Sequence, residues 1–289
     1  MRKWIAGIDR AFQTRFPFVY YQFIQRPRLF FRFQTEKQLV RGVSLSKSEH
    51  SSILFFTTHK CASRYVSRLF STLTEEVGMV PVDYDAFVTS SKVPLSLHPY
   101  KDEGTLSTAF QSRGYFYGPI GSYREIPKRK DYRVLLQLRD PRDVLTSLYY
   151  STSFSHALIS EKVLRERKAA LENSPDEFVL ENAGKYLTIY SDYCEKLLGK
   201  TEVLFLQYER MVGDFDGWLK ALSEHTGLDH LNESLQLIQD QANFQVSKED
   251  IYSQRRQVTP GDHLRKLRPK TIVELNRILS PVLTTLGYS

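Results

Sequence analysis

The stretch Val134 to Ser151, VLLQLRDPRDVLTSLYYS, constrains this chain more than any other. Val134 to Leu138 is apolar but for Gln137, the pattern of a strand buried on both faces. The run stops at Arg139. Asp140-Pro141 follows, and then Val144, Leu145 and Leu148 recur at helical spacing, with proline where the first turn of a helix tolerates it. Arg139 therefore stands at the carboxyl end of a strand, and Ser147 lies eight residues further on, about two turns into the helix. A guanidinium and a hydroxyl so placed can grip one phosphate from two sides. Taken alone, the stretch is equally a charged loop leading into an ordinary helix.

A second segment breaks the tie. Ser52 to Thr57 reads as another buried strand, and it runs into Thr58-His59-Lys60-Cys61-Ala62-Ser63-Arg64-Tyr65. A helical pattern follows, with apolar residues at Val66, Leu69, Phe70 and Leu73. A strand, a short polar loop holding a lysine and a helix amino terminus make the layout of a phosphate cradle. The loop lacks the GxxxxGK[ST] pattern of nucleotide triphosphatases. Its lysine precedes the small residues and the hydroxyl.

Together the two elements resemble the sulfotransferases that use 3′-phosphoadenosine 5′-phosphosulfate (PAPS) as donor. In that family a strand–Lys–small–small–Ser/Thr–x–aromatic–helix loop holds the 5′-phosphosulfate, and a strand–Arg–x7–Ser–helix element holds the 3′-phosphate. The matching positions are Lys60, Cys61, Ala62, Ser63, Arg64 and Tyr65, then Arg139 and Ser147. Cys61-Ala62 stands where Ser-Gly is commoner. Val203 to Met211 is similar to the family's late strand, whose tyrosine, here Tyr208, lies near the adenine. Arg255 to His263 is similar to its carboxyl-terminal RKGxxGDW loop, with Gln257-Val258 in place of Lys-Gly and Arg256 completing the 3′-phosphate site. The resemblance covers about residues 50 to 287.

It implies sulfuryl transfer from PAPS to a hydroxyl or amine, with 3′-phosphoadenosine 5′-phosphate (PAP) as product and no metal. Lys60 would meet the bridging oxygen, and backbone amides from Cys61 to Tyr65 would hold the 5′-phosphate. Tyr65 would stack on the adenine. The family's base is a histidine or a glutamate between the two phosphate loops. The histidine's usual place here reads Tyr115-Phe116-Tyr117-Gly118-Pro119 and contains none. His98, Asp85 and Asp83 are the candidates, while His59, inside the cradle, reads as structural. A small metabolite, a carbohydrate and a lipid head group all stay open as acceptor. A homologue that binds the nucleotide but lacks a competent base is the alternative. A cysteine phosphatase built on Cys61 would need arginine where Ser67 stands, and a P-loop kinase would need the glycines.

Strands alternating with helical patterns predict an α/β three-layer sandwich, with a mostly parallel, P-loop-like central sheet and ligand at the strands' carboxyl ends. Strands are expected at 52–57, 115–118, 133–138 and 202–206. Helices are expected at 63–77, 142–152, 158–171, 176–198, 214–226 and 271–286. Residues 79–113 read mostly as loop, because Pro81, Pro94, Pro99 and Gly104 break them.

Residues 1–45 read as a separate helical arm ahead of a domain at 46–289. Residues 1–41 carry nine Lys/Arg against two acids, which accounts for the whole net charge of +7, and ten aromatics besides. The remainder is neutral, so the high pI does not describe a nucleic-acid-binding fold. The arm is open to three readings: packing onto the domain or a second copy of the chain, attachment at a membrane interface, or an acidic partner. There is no apolar run of membrane-spanning length and no evident signal peptide. The two cysteines, Cys61 and Cys194, make no disulfide framework, which fits a cytoplasmic setting, with peripheral membrane contact through the arm as the variant.

Overall fold

The five strands are short, apolar and parallel, in the order β2-β3-β1-β4-β5. They are β1 (Ile53–Thr57), β2 (Val80–Val82), β3 (Tyr115–Ile120), β4 (Arg133–Leu138) and β5 (Val203–Gln207). Side chains alternate across a sheet, so each central strand feeds two cores. β1 sends Leu54 and Phe56 to one face and Ile53 and Phe55 to the other, and β4 divides Val134, Leu136 and Leu138 from Leu135 in the same way. That double burial is why these strands read as apolar runs and not as alternating ones. The structure, a computed structural model, describes residues 32–90, 93–155, 161–246, 249–253 and 256–288. Most of the basic arm, which the sequence pattern reads as two helices broken near Pro17 and again near Pro27, lies outside them, as does Arg255.

One face is closed by α2 (Ser63–Glu76) and α9 (Phe215–Thr226), whose Phe70, Leu73, Trp218 and Leu222 are wholly buried. The other is closed by α5 (Pro141–Tyr150), α7 (Pro175–Lys196) and α12 (Pro269–Leu286), with Val144, Tyr190 and Leu279 in the core. α7 begins with a capping box from Ser174 and Glu177, and Pro175 occupies its first turn. α9 stops at Gly227, whose φ of 72° is the left-handed cap.

Two parts differ from the sequence expectation. Residues 79–113 are not mostly loop: they hold β2, α3 (Tyr84–Ser90), a 3-10 turn at Leu95–Leu97 and α4 (Glu103–Ala109). Each is one or two turns long, too short for a periodic signal, and Pro81 is tolerated because β2 is an edge strand. Downstream of β5, α8 (Tyr208–Gly213), α10 (Asn232–Gln241) and α11 (Asp262–Lys266) also escape the periodicity. At the end of the expected arm, α1 (Gln34–Val40) packs on α4, with Phe33 and Leu39 buried in the domain core. The other helices expected from the sequence are present as α2, α5, α6 (Glu161–Glu172), α7, α9 and α12. Among the described residues, no helix is long and apolar enough to cross a membrane.

Candidate active site

β1 lies between β3 and β4, so the chain changes sides of β1 as it passes from β3 to β4. Open parallel sheets place their ligand sites beyond the strands' carboxyl ends at such a switch. Thr57 is level with Gln137 in the sheet, and the loops that follow therefore meet. Arg139 Nη1 donates to the Lys60 carbonyl at 3.5 Å.

The Lys60 loop has an unusual backbone. Lys60 and Ala62 have φ of 67° and 60°, left-handed values that cost non-glycine residues about 1–3 kcal/mol each. Alternation of this kind curls successive N–H groups into an anion-binding concavity. Gln137 explains how the loop is held, since its Nε2 donates to the Cys61 carbonyl at 2.7 Å. The one polar residue in the β4 run is thus a strut under the loop. α2 starts directly after Ala62 without a side-chain cap, leaving its amino terminus suited to an anion.

Cations converge on this loop. Burial pushes the Lys60 ammonium down to about 8, and Arg139, Arg256 and Arg64 push in the same direction. Lys60 has no ion pair among the described residues. Lys60, Ser147 and Arg256 line one cavity together with Tyr150, Ser151 and Gln257. The structure therefore brings together three site residues that lie far apart in the sequence. Serines 147 and 151 fall one helical turn apart on the same wall, a spacing visible in the sequence once Ser147 is singled out.

Arg139 stands just behind that wall. It is 3% exposed, donates through Nη2 to Asp143 Oδ2 at 3.0 Å and lies 4.5 Å from the centre of the Tyr208 ring. Burial disfavours its charge, but Asp143 outweighs burial and holds it protonated. Asp143 is fully enclosed and accepts three more hydrogen bonds, from the Gly261 N–H at 2.8 Å, the His263 N–H at 2.9 Å and His263 Nδ1 at 2.7 Å. Burial alone would raise its pKa. The His263 and Arg139 contacts reverse that and hold the carboxyl well below the usual carboxylate range. Gly261 sits at φ 77° at the start of α11, a left-handed position that suits glycine. Asp143 so ties the β4–α5 element to the carboxyl-terminal loop.

Further residues hold Arg139 from the backbone side. Tyr190 Oη donates to its carbonyl at 2.6 Å. Glu209 takes the Asp140 N–H at 3.0 Å and the Tyr288 hydroxyl at 2.8 Å, and burial raises its pKa. Asp140 caps α5 and binds Arg142, which reaches Asn276 on α12 at 2.7 Å.

Other expected site residues take more specific places. Tyr208, expected beside an adenine, is enclosed beneath Arg139 and donates to the Val258 carbonyl at 2.8 Å. Tyr65 packs edge-on against Phe215 and Phe244, at 6.1 and 5.4 Å between ring centres. Arg256 lies 4.2 Å over Tyr150, and its guanidinium is engaged by Glu249 and Asp262. Cys61 is wholly buried, and burial pushes its thiol up to about 12. That is the opposite of an activated nucleophile and removes the phosphatase reading.

The base candidates separate clearly. Asp83 caps α3 through the Ala86 N–H at 2.8 Å, its own N–H goes to Glu36 at 3.0 Å, and burial raises its carboxyl to about 6. His98 packs edge-on against Tyr100 with ring centres 6.0 Å apart. Asp85 is at the end of β3: it takes the Gly121 N–H at 2.6 Å and the Tyr100 hydroxyl at 3.1 Å, one on each oxygen. His59 directly precedes Lys60, and its basicity is lowered by desolvation, Lys60 and Lys185 against the pull of Asp85. Among the described residues, no cluster of histidine, cysteine and acidic side chains is arranged to hold a metal ion.

Comparison with known proteins agrees with this geometry. A family model described as the sulfotransferase domain matches residues 51–273. No curated protein sequence matches the chain. Among solved structures, that of mouse sulfotransferase SULT7A1 complexed with PAP superposes with a TM-score of 0.57 at 15% identity, covering 88% of this chain and 94% of that one. A likeness at that identity establishes the fold.

Proposed function

The chain belongs to the sulfotransferase family, and on that premise we propose that it transfers a sulfuryl group from PAPS to a hydroxyl or amine of a small-molecule, carbohydrate or lipid acceptor, releasing PAP. The observation that carries this reading is Lys60. It is a recessed ammonium crowded by three arginines and without a carboxylate partner among the described residues. Such a cluster suits a ligand with several negative charges, because each anion relieves repulsion as well as forming charge-assisted hydrogen bonds. The orphaned Nε of Arg139 and the uncapped start of α2 point the same way.

In the transfer, the bond from sulfur to the bridging phosphate oxygen breaks and a bond from the acceptor heteroatom to sulfur forms. Negative charge grows on the departing phosphate, where Lys60 and the amides of the Cys61–Tyr65 turn would meet it. Arg139, Ser147 and Arg256 would hold the 3′-phosphate, with Glu249 yielding Arg256 to it. Tyr208 supports Arg139 from below, and Tyr65 with Phe244 offers aromatic surface to the adenine. The acceptor's proton goes to Asp85. Its two hydrogen bonds fix the carboxylate's orientation while each oxygen keeps a lone pair.

Two measurements test the proposal. In calorimetry, PAP should bind at least about a hundredfold more tightly than 5′-AMP, since each charge-assisted contact to the 3′-phosphate contributes roughly 1.5–3 kcal/mol. Equal affinity for the two nucleotides would sink the assignment. Asp85→Asn should keep PAP affinity and lose transfer of labelled sulfate from PAPS. If the wild type itself binds PAP but transfers to no acceptor in a broad panel, the non-catalytic alternative holds.

A further inference from the structure

The chain turns sharply after β3, through Gly121-Ser122-Tyr123-Arg124. Asp85 ties this turn to α3 through the Gly121 N–H, and Tyr100 donates to the same carboxylate. The Arg124 guanidinium lies over the Tyr100 ring, 4.0 Å from its centre. Tyr193 fixes where this unit stands. Its hydroxyl donates to the Thr57 carbonyl at 2.7 Å and is 3.2 Å from the Ile120 carbonyl, so it sits at the ends of β1 and β3. Both Asp85 and Arg124 act on it electrostatically. Arg124 therefore lies near the carboxyl ends of β1 and β3, and the Lys60 loop leaves the first of these.

Its bonding is incomplete. Arg124 Nε is buried with no hydrogen-bond partner, and among the described residues no carboxylate pairs with its guanidinium. A buried N–H without a partner is destabilising. Lys185 of α7 is exposed, likewise lacks an ion pair among the described residues, and is close enough to depress the basicity of His59. Arg124 and Lys185 thus add two cations to the surroundings of Asp85, whose oxygens already accept from the Gly121 N–H and the Tyr100 hydroxyl. A neutral acceptor would gain little from these cations.

We infer that the acceptor is itself an anion: Arg124, aided by Lys185, holds a carboxylate, sulfate or phosphate on the same molecule whose hydroxyl takes the sulfuryl group. The inference rests on the sulfuryl-transfer reading above and deepens it. Packing over the Tyr100 ring limits the freedom of the guanidinium, and its fork of donors favours a two-point grip on an oxyanion. Acceptors would be chosen by charge next to the reacting hydroxyl.

The test uses the whole protein saturated with PAP and three probes on one scaffold: p-nitrophenyl glucuronide, the 6-sulfated p-nitrophenyl glucoside and the neutral glucoside. Calorimetry should show either or both anionic probes binding about tenfold or more tightly than the neutral one, as one charge-assisted contact implies. The glucuronide and the sulfated glucoside separate the carboxylate from the sulfate as the preferred group. Arg124→Gln should erase the preference and leave PAP affinity within about twofold, while Arg124→Lys should restore part of it. Should Arg124→Gln lose PAP binding, and with it the fold, Lys185→Gln serves in its place and should shrink the preference by at least about threefold. Equal binding of the three probes, or a preference untouched by these substitutions, would overturn the inference. Failure of the wild type to bind PAP would instead overturn the sulfuryl-transfer reading itself.

Discussion

Asp143→Asn tests the central structural argument, because one enclosed carboxylate serves four donors on two distant segments. The amide keeps a single acceptor oxygen and turns an NH2 toward groups that are themselves donors. Arg139, 3% exposed, loses its counter-ion. Removing one partner of a buried pair costs about 3–5 kcal/mol, a large share of the roughly 5–15 kcal/mol that holds a domain together. Urea unfolding should therefore show a lower midpoint at pH 7. The pH dependence gives a second readout. Asp143's folded pKa lies below its unfolded one, so its contribution is fully present above the ordinary carboxylate value of about 4 and fades as pH falls through the folded value. The stability gap between wild type and variant should be constant from about pH 7 to 5 and narrow below about pH 4. PAP affinity should fall as well, because Arg139 and the loop carrying Gly261 and His263 are released together. A variant that unfolds within about 0.5 kcal/mol of wild type and binds PAP normally would show that Asp143 is not the clamp described.

Two other outcomes follow. Lys60 is held at about 8 in the ligand-free protein, and a bound anion must raise that value, so binding takes up a proton near pH 8.5 and PAP affinity weakens as pH rises through about 8. Calorimetry in buffers of different ionisation heat should register this uptake and lose it in Lys60→Gln; equal uptake by the variant would assign the proton to another group. Cys61, buried with its thiol near 12, should stay unmodified by iodoacetamide at pH 8 in the folded protein and react after denaturation, as peptide mass spectrometry would show. An adduct at Cys61 in the native protein would contradict the closed loop.

How much of this could be read from the sequence depended on the range of the interactions concerned. The strands and the helices that cover them are legible because each is long enough to carry a period, and each faces one core or two. Lys60, Arg139 and Ser147 stand out because each lies at a short, fixed offset from a strand end. Tertiary pairs leave no such offset. Nothing in Glu209 or Tyr190 announces that they bond to the backbone around Arg139, and nothing in Arg124 or Tyr100 announces their stacking. The short helices between residues 79 and 113 fail for a different reason: one or two turns held by contacts with distant residues, such as Tyr84 Oη on the Ala109 carbonyl at 2.8 Å, have no amphipathic repeat to detect.

Asp143 lies between these cases, and it shows what the pattern RDPRD encodes. The first arginine follows the strand end and is buried behind the cavity wall. The first aspartate caps the helix and holds the second arginine, which reaches across to α12. Proline fixes the first turn. The second aspartate, four residues after Arg139, comes back beneath it, since positions four apart share a helix face. Each charge is thus answered within the segment or by one distant element, and this lets a guanidinium stay charged at 3% exposure. The spacing made the Arg139–Asp143 pair available from sequence. What it could not supply was the far side of Asp143, where Gly261 and His263 close on the same carboxylate from 118 and 120 residues away. Arg139 and the carboxyl-terminal loop are therefore not separate parts. They share one carboxylate, so any ligand that draws on Arg139 also acts on the position of the loop.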